Sequence, residues 1–473
     1  MIEPRLPPPA VSSLGELRAS NWVSEPVKRE MRRNLLGRIA AGRPIVDGVL
    51  GYDDTVLPSL EDAVIAGHDF ILLGERGQAK SRIIRSLVGL LDEWVPAIAG
   101  SEINDDPYAP VSRHARDLVA EHGDDTPISW VHRSQRYGEK LATPDTSIAD
   151  IIGEVDPIKV AEGRYLSDEL TIHYGLVPRT NRGIFAINEL PDLAERIQVG
   201  LLDVLEERDV QIRGHKVRLP LDVLLVASAN PEDYTNRGRI ITPLKDRFGA
   251  RVRTHYPEDV VTEMTIVRQE ARPIEGIGIR VDVPEFMAEI VARVSQLARR
   301  NARVSQRSGV SVRLSVANYE TLAAASVRRA IRHGENEAVP RVSDLDALWS
   351  STLGKLEIES LEEGEDDEIV QKLILGAILQ TFRDRVPAEG LGNVVGGFED
   401  GGIVHTGPDL PSAGYLAALE QIPALRAPAA AAAGSESPGV LASAIELILE
   451  GLHLSKRLNK ESAGARATYR TRS

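Results

Sequence analysis

The chain has 473 residues, no cysteine and a formal net charge of −14, with 42% hydrophobic and 27% charged residues. The lack of cysteine excludes disulfides, thiolate zinc sites and a cysteine nucleophile, and the acidic balance argues against a surface that holds nucleic acid by bulk electrostatics. No stretch approaches the roughly 18 apolar residues of a membrane span, and residues 1–10 lack the apolar core of a signal peptide. We therefore expect a cytoplasmic protein. Its length predicts about three domains.

The first predicted elements are amphipathic helices at residues 12–41 and 55–66. A buried strand follows at Phe70–Leu73, then a loop opened by Gly74, then apolar residues that recur at helical spacing over 83–91. This order is the context of a phosphate-binding loop, because the N–H groups of such a loop wrap a polyphosphate at the helix N-terminus. The alternative interpretation is a glycine-containing turn that binds nothing.

Two residues at the end of this loop carry its predicted chemistry. Lys80 would reach the outer phosphates, and the Ser81 hydroxyl would bind Mg²⁺. Ala79 departs from the general pattern, because a second glycine usually stands there. The residues predicted to contact the nucleotide are Gly74, Glu75, Arg76, Gly77, Gln78, Ala79, Lys80, Ser81 and Arg82.

Polar residues follow a later predicted strand at residues 183–187. Asn188 and Glu189 stand at its carboxyl end, where ligands collect in parallel α/β sheets. Glu189 could orient or deprotonate an attacking water, whereas Asn188 would be a neutral and weaker partner for Mg²⁺ than a carboxylate. The alternative is that the pair only caps the helix predicted at residues 191–206.

Another predicted strand, residues 222–227, leads to Asn230. This side chain could hold the attacking water or sense the terminal phosphate, although an asparagine at a strand end is also a common turn former. Arg247 follows, between an acidic and an aromatic residue. The remaining predictions for this half are a strand at 128–132, an inserted hairpin or short helix within 143–179, and a β-hairpin at 210–219.

From residue 257 the pattern changes to helical periodicity. Arg313 stands before one of these helices, so it could point from a helix start towards a phosphate or be an ordinary surface arginine. The predicted helices lie at residues 260–271, 283–301, 315–333, 342–356 and 440–458. The predicted irregular segments are an acidic connector at 357–368, linkers at 389–407 and 423–439, and a basic disordered tail at 456–473.

Together these motifs resemble the AAA+ ATPases of the magnesium-chelatase I-subunit and MoxR class, most closely the chelatase-like branch. The phosphate loop is similar to the family's own version, which often has alanine before the lysine. Asn188 and Glu189 are similar to its Walker B Asp-Glu pair with the first residue changed. Asn230 matches sensor 1, Arg247 the arginine finger and Arg313 sensor 2 of the lid. The resemblance covers about residues 45–350.

The resemblance implies an α/β fold, with a P-loop NTPase parallel sheet flanked by helices, followed by a helical lid domain. Outside it we predict mostly helical extensions. The predicted parts are an N-terminal helical extension at residues 1–45, the AAA+ nucleotide-binding domain at 46–256, the lid at 257–356, and an acidic connector, linkers, C-terminal helices and a basic tail at 357–473.

The resemblance also implies a homo-hexameric ring that binds ATP and Mg²⁺ between neighbouring subunits. The partner would be a protein with a von Willebrand factor type A domain, and the ring would remodel or activate that partner as a chaperone does. Because Asn188 replaces an aspartate, we expect ATP hydrolysis that is slow or dependent on a partner. The implied catalytic residues are Glu189, Lys80, Asn230, Arg247 and Arg313, and the implied Mg²⁺ ligands are Ser81 and Asn188.

Three other functions remain open at this point. The chain could be a nucleotide-dependent scaffold that barely hydrolyses ATP, or the ATPase subunit of magnesium chelatase itself. It could also be a helicase or DNA-loading ring, since the predicted hairpin carries charged residues that could line a pore: Arg213, His215, Lys216 and Arg218. The acidic balance counts against the last of these.

Overall fold

The computed structural model describes residues 7–156, 158, 161, 169–206, 219–231, 239–305, 309–358, 365–464 and 466–472. The chain divides into two compact units, Met1–His255 and Tyr256–Ser473. All but the last residue of the predicted hairpin at 210–219 lies outside the described residues, as do residues 162–168 of the predicted insert.

The first unit alternates helices and strands. Its helices are α1 (Leu14–Ala19), α2 (Val27–Ala40), α3 (Val56–Ala66), α4 (Lys80–Ser86), α5 (Arg113–His122), α6 (Ile148–Ile151), α7 (Leu176–Arg179), α8 (Glu195–Glu206) and α9 (Thr242–Arg247). Its strands are β1 (Phe70–Leu73), β2 (Trp94–Ile98), β3 (Ile128–His132), β4 (Tyr137–Leu141), β5 (Gly153–Val155), β6 (Ile172–Tyr174), β7 (Gly183–Asn188), β8 (Val223–Ala229) and β9 (Ala250–Arg253).

Five of these strands form one parallel sheet, in the order β4-β7-β8-β1-β9. Successive side chains of a strand point to opposite faces. Ile184 and Ala186 of β7 therefore pack in one core, and Phe185 and Ile187 pack in the other. Both faces are buried, which explains why these strands are continuous apolar runs in the sequence. The predicted parallel sheet flanked by helices is confirmed.

Two antiparallel pairs lie beside this sheet. Strands β2 and β3 form one pair, so the strand predicted at residues 128–132 exists but belongs to this pair and not to the central sheet. Strands β5 and β6 form the other pair, within the segment where an inserted hairpin or short helix was predicted.

The N-terminal extension is part of the first unit. The helix predicted at residues 12–41 is two helices, because Asn21 adopts a left-handed conformation with φ +59° and the chain continues to Pro26 before α2 begins. Val27, Met31 and Leu35 of α2 are buried in the core that covers one face of the sheet. Their burial explains why α2 is stable although its sequence is mostly polar.

The second unit is mostly helical. Its helices are α10 (Val260–Glu270), α11 (Glu285–Arg300), α12 (Val312–His333), α13 (Leu348–Leu353), α14 (Glu365–Arg385), α15 (Leu391–Glu399), α16 (Leu416–Gln421), α17 (Arg426–Ala433) and α18 (Pro438–Leu454). Its strands are β10 (Arg280–Val281), β11 (Glu337–Ala338), β12 (Val404–Thr406), β13 (Asn459–Ala463) and β14 (Arg466–Arg470). One hydrophobic core extends from Phe286 to Tyr469, so the predicted lid and C-terminal parts pack together.

The two predicted linkers are wrong. Residues 389–407 contain α15 and β12, and residues 423–439 contain α17. Gly397 in the first segment allows close packing, because a Cβ added to it would lie 2.8 Å from the Ile422 side chain. Leu391, Val394 and Phe398 of α15 are buried, so the helix is stabilised by its neighbours in the core.

The predicted disordered tail is also wrong. Strands β13 and β14 pair antiparallel, and β14 also pairs with β12. Tyr469 of β14 is buried, and its hydroxyl donates a hydrogen bond to the Glu450 carboxylate of α18. The Lys460 ammonium lies 2.8 Å from the same carboxylate. The basic charge of the tail is thus partly neutralised by an acid of the core.

No single helix among the described residues is long and apolar enough to cross a bilayer. Taken together, the helical segments Pro423–Ala433 and Pro438–Leu454 have the length and apolar composition of a membrane span, but they are bent by 108° from each other.

Candidate functional site

The phosphate loop connects β1 to α4 at the carboxyl edge of the sheet. Gly74 must be glycine, because an added Cβ would lie 1.9 Å from the Thr254 hydroxyl oxygen. Gly77 and Ala79 have φ values of +76° and +56°. Left-handed residues in such a loop turn successive backbone N–H groups inward and form a concave site for an anion. The loop geometry therefore fits a phosphate group, and Ala79 adopts the conformation for which glycine is usual.

Lys80 is the first residue of α4 and is buried. Its ammonium donates hydrogen bonds to the Gly74 carbonyl, to the Glu75 carbonyl at 2.8 Å and to the Asn230 amide oxygen at 2.9 Å. The positive charge is thus held at the mouth of the loop by three neutral oxygens, in a position to interact with an anion.

Asn230 connects Lys80 to Glu189. Its amide nitrogen donates a hydrogen bond of 2.7 Å to one Glu189 carboxylate oxygen, while its amide oxygen accepts the bond from Lys80. The three residues meet because β8 lies between β1 and β7, so the carboxyl ends of these strands are neighbours. Glu189 has φ +54°, a left-handed conformation that directs its side chain away from the strand path.

Asn188 makes a second set of contacts on the face of the sheet that carries α4. Its amide oxygen accepts a hydrogen bond of 3.1 Å from the Ser228 hydroxyl, and its amide nitrogen donates one of 2.5 Å to Glu139. The backbone N–H of Glu189 lies 3.3 Å from the Ser228 hydroxyl oxygen. Asn188 is therefore held on both sides.

Glu139 is a carboxylate that the sequence reasoning missed. It lies on β4, and both its oxygens accept hydrogen bonds from Arg85 of α4, at 2.8 and 3.0 Å. Its ion pair with Arg85 lowers the pKa of Glu139 from its ordinary value, despite the opposing effect of partial burial. The local sequence around Glu139 carries no motif; only the pairing of β4 with β7 reveals its position.

Tyr52 was also missed. Its hydroxyl, whose pKa is raised by burial, lies 3.0 Å from the Gln78 carbonyl oxygen of the loop and 2.8 Å from the His255 carbonyl oxygen. Gln78 is fixed in turn by a hydrogen bond of 2.7 Å from the Thr254 hydroxyl. The loop backbone is thus supported from two sides by residues distant in the sequence.

Replacing Tyr52 with phenylalanine should weaken nucleotide binding about three- to tenfold, because one buried loop carbonyl loses a hydrogen bond worth about 1 kcal/mol. The measurement is a titration with a fluorescent ATP analogue. Tyr108→Phe is the control, because it removes an exposed tyrosine hydroxyl of the same unit that donates to the Trp22 carbonyl at 3.2 Å. Equal affinities for the parent and Tyr52→Phe would show that Tyr52 does not shape the loop.

The other predicted residues lie as follows. Ser81 and Arg82 are in the first turn of α4, where Arg82 is exposed, and Arg76 is in the loop. Arg247 ends α9, where its guanidinium lies 3.1 Å from the Asp246 carboxylate. Arg313 belongs to the second unit; it is exposed in the first turn of α12, and its N–H donates to the Ser311 hydroxyl at 3.1 Å. The catalytic roles of both arginines stay predictions.

Comparison with known proteins gives matches over parts of the chain. Residues 162–247 match the model of the Sigma-54 interaction domain. The magnesium-chelatase 38 kDa subunit of Rhodobacter capsulatus is 29% identical over 245 residues, and the chloroplastic magnesium-chelatase subunit ChlI of Nicotiana tabacum is 30% identical over 250 residues. Over the matched segments this chain is similar to magnesium-chelatase subunits.

The similarity concerns part of each protein. The matched segments cover 49% and 51% of this chain, and 62% and 54% of the two relatives. A solved structure of the complex between the BchI and BchD subunits of magnesium chelatase aligns with 69% of this chain and 100% of that chain, at 22% identity and a TM-score of 0.35.

Proposed function

We propose that the phosphate loop binds ATP with Mg²⁺ and that Glu189 directs its hydrolysis. The carrying observation is the contact chain from Lys80 through Asn230 to Glu189. It joins a cation suited to phosphate oxygens to a carboxylate suited to an attacking water. Membership in the AAA+ group supports the same reaction.

Each residue would contribute one action. The Lys80 ammonium neutralises charge on the outer phosphates, and the Ser81 hydroxyl contributes an oxygen ligand to Mg²⁺, which supplies further charge neutralisation when bound. Glu189 orients the attacking water and accepts its proton, while the Asn230 amide fixes the carboxylate. Arg247 or Arg313 would stabilise the transition state from a neighbouring subunit or the lid.

Replacing Lys80 with alanine should weaken binding of a fluorescent ATP analogue by about 10- to 100-fold, because a charge-assisted contact to phosphate is lost. Lys372→Ala, which changes a lysine that is 62% exposed on the second unit, should leave binding unchanged. If Lys80→Ala binds the analogue as tightly as the parent, the loop is not the nucleotide site.

We further propose that the chain works as a ring with a partner protein. Support comes from the relatives, which are named subunits of a larger chelatase. A hexamer, a cytoplasmic location and a chaperone-like remodelling of a partner with a von Willebrand factor type A domain follow from the family resemblance. Sizing of the protein with and without Mg²⁺ and ATP tests the ring, because nucleotide bound between subunits should favour assembly.

Two other functions compete with this proposal. A nucleotide-dependent scaffold with weak hydrolysis is favoured by Asn188, a neutral amide where a carboxylate is usual. A role as the ATPase subunit of magnesium chelatase is favoured by the names of the relatives. Tight ATP binding without turnover would support the scaffold, and insertion of Mg²⁺ into a porphyrin with partner subunits would support the chelatase.

A further inference from the structure

The orientation of the Asn188 side chain is determined by Glu139. An ionised carboxylate only accepts hydrogen bonds, so the amide group must turn its nitrogen towards Glu139. The Asn188 amide nitrogen lies 2.5 Å from a Glu139 carboxylate oxygen. The Asn188 amide oxygen then accepts the Ser228 hydroxyl and keeps its second lone pair. If Glu139 were absent, either end of the amide could face Ser228, because a hydroxyl both donates and accepts.

Glu139 is itself fixed to the helix that follows the phosphate loop. The guanidinium of Arg85 binds both carboxylate oxygens, and the Tyr137 hydroxyl donates a third hydrogen bond of 3.1 Å. Arg85 stands four residues after Ser81, so the two side chains project from the same face of α4. Glu139 therefore lies on the side of the helix that carries the predicted Mg²⁺ ligand.

Strand pairing explains how Glu139 reaches Asn188. Glu139 of β4 lies opposite Ala186 of β7, two residues before Asn188 and on the same face of the sheet. The acidic group is thus displaced by one strand from position 188, where the family resemblance places an aspartate. This part of the site therefore still holds one carboxylate, as it would with an aspartate at position 188.

We propose that Glu139 is a positioning residue for Asn188, and that the Glu139–Asn188 pair replaces the single aspartate of the related sites. Glu139 contributes the carboxylate, and its hydrogen bond to Asn188 fixes the direction in which the Asn188 amide oxygen faces the predicted Mg²⁺ position. This inference rests on the proposed function, since it assigns the pair to Mg²⁺-dependent nucleotide binding. It requires that residues 139 and 188 be matched as one acid and one amide.

The matching reverses a simple expectation about Asn188. Changing Asn188 to aspartate would restore the usual residue, yet it would place a second carboxylate against Glu139 with no proton between them. The single substitution Asn188→Asp therefore harms the site. The double substitution of Glu139→Gln with Asn188→Asp restores one acid and one amide, because the new amide nitrogen at position 139 then faces the new carboxylate at position 188.

The test compares the full-length parent, Glu139→Gln, Asn188→Asp and the double variant in two measurements. The first is the Mg²⁺ concentration that gives half-maximal tight binding of a fluorescent ADP analogue. The second is the equilibrium constant for urea unfolding of the first unit. Glu121→Gln is the matched control, because it neutralises an exposed glutamate of α5 that is not part of the Glu139–Asn188 pair.

We expect each single variant to need about tenfold more Mg²⁺ and to lose about 10- to 100-fold in the unfolding equilibrium constant, since a hydrogen bond to a charged group is broken in each. The double variant should return to within about threefold of the parent in the Mg²⁺ requirement. It should recover only part of the unfolding constant, because a glutamine at position 139 cannot accept both hydrogen bonds of Arg85. Glu121→Gln should keep the Mg²⁺ requirement of the parent. A purely structural contact would change the unfolding constant without changing the Mg²⁺ requirement, and that result would overturn the proposal.

Two further results would also contradict the pairing. If the double variant is no better than the worse single variant, residues 139 and 188 do not act as a pair. If Asn188→Asp alone is as stable as the parent and needs no more Mg²⁺, the acid at 139 does not constrain position 188. If the parent binds no nucleotide at any Mg²⁺ concentration, the proposed function fails and this role fails with it, whereas the unfolding measurements still report the contact.

Discussion

Replacing Glu189 with glutamine lowers ATP turnover by about 10²- to 10⁴-fold in this account, because the amide cannot accept the proton of the attacking water. ATP affinity should stay within about threefold of the parent. The glutamine keeps a carbonyl oxygen that can accept the hydrogen bond from Asn230, so the contact chain to Lys80 persists. The measurement is steady-state phosphate release at saturating ATP and Mg²⁺.

Glu195→Gln is the matched control for this variant. Glu195 is an exposed acid at the start of α8, a short distance further along the chain, and its loss should leave turnover unchanged. Equal turnover by the parent and Glu189→Gln would show that another group activates the water.

Replacing Arg136 with methionine should lower the free energy of unfolding of the first unit by about 3–5 kcal/mol, because it leaves the buried Glu30 carboxylate without its partner. The guanidinium of Arg136 donates two hydrogen bonds to Glu30, at 2.7 and 2.6 Å, and both side chains are almost fully buried. Urea unfolding followed by tryptophan fluorescence measures this change in a Trp349→Phe background, because the remaining tryptophans, Trp22, Trp94 and Trp130, all lie in the first unit.

The pair between Arg18 and Asp124 provides the control, because these side chains are 57% and 66% exposed. Arg18→Met should cost about 0–1 kcal/mol, as is usual for an ion pair in water. Combining Arg136→Met with Glu30→Leu should recover part of the loss, since neither charge of this buried pair then remains. A cost below about 1 kcal/mol for Arg136→Met would mean that α2 is held by its apolar face alone.

The sequence was sufficient for features whose cause is local. The predicted phosphate site is such a feature, because its parts follow one another within a short segment: the apolar run before Gly74, the loop, and the helix after Lys80. Asn188, Glu189 and Asn230 were identified as strand-end residues, and the parallel order of the strands explains why Asn230 meets both Lys80 and Glu189.

The remaining features depend on pairings between distant segments. Glu139 and Tyr52 carry no local motif, and their roles arise only from the pairing of β4 with β7 and from the packing of residue 52 against the loop. Glycine and alanine in segments 389–407 and 423–439 were interpreted as signs of flexibility. In the structure Gly397 packs closely against Ile422, and Ala429 of α17 is buried in the core.

The most direct test of the central claim is a single-turnover experiment, with the full-length parent in excess over radiolabelled ATP and Mg²⁺. This design detects slow hydrolysis even when a missing partner would limit steady-state turnover. We predict that the parent converts the bound ATP to ADP and phosphate, and that Glu189→Gln holds ATP intact. ATP that stays bound and unhydrolysed on the parent would contradict the proposed ATPase and leave a nucleotide-dependent scaffold.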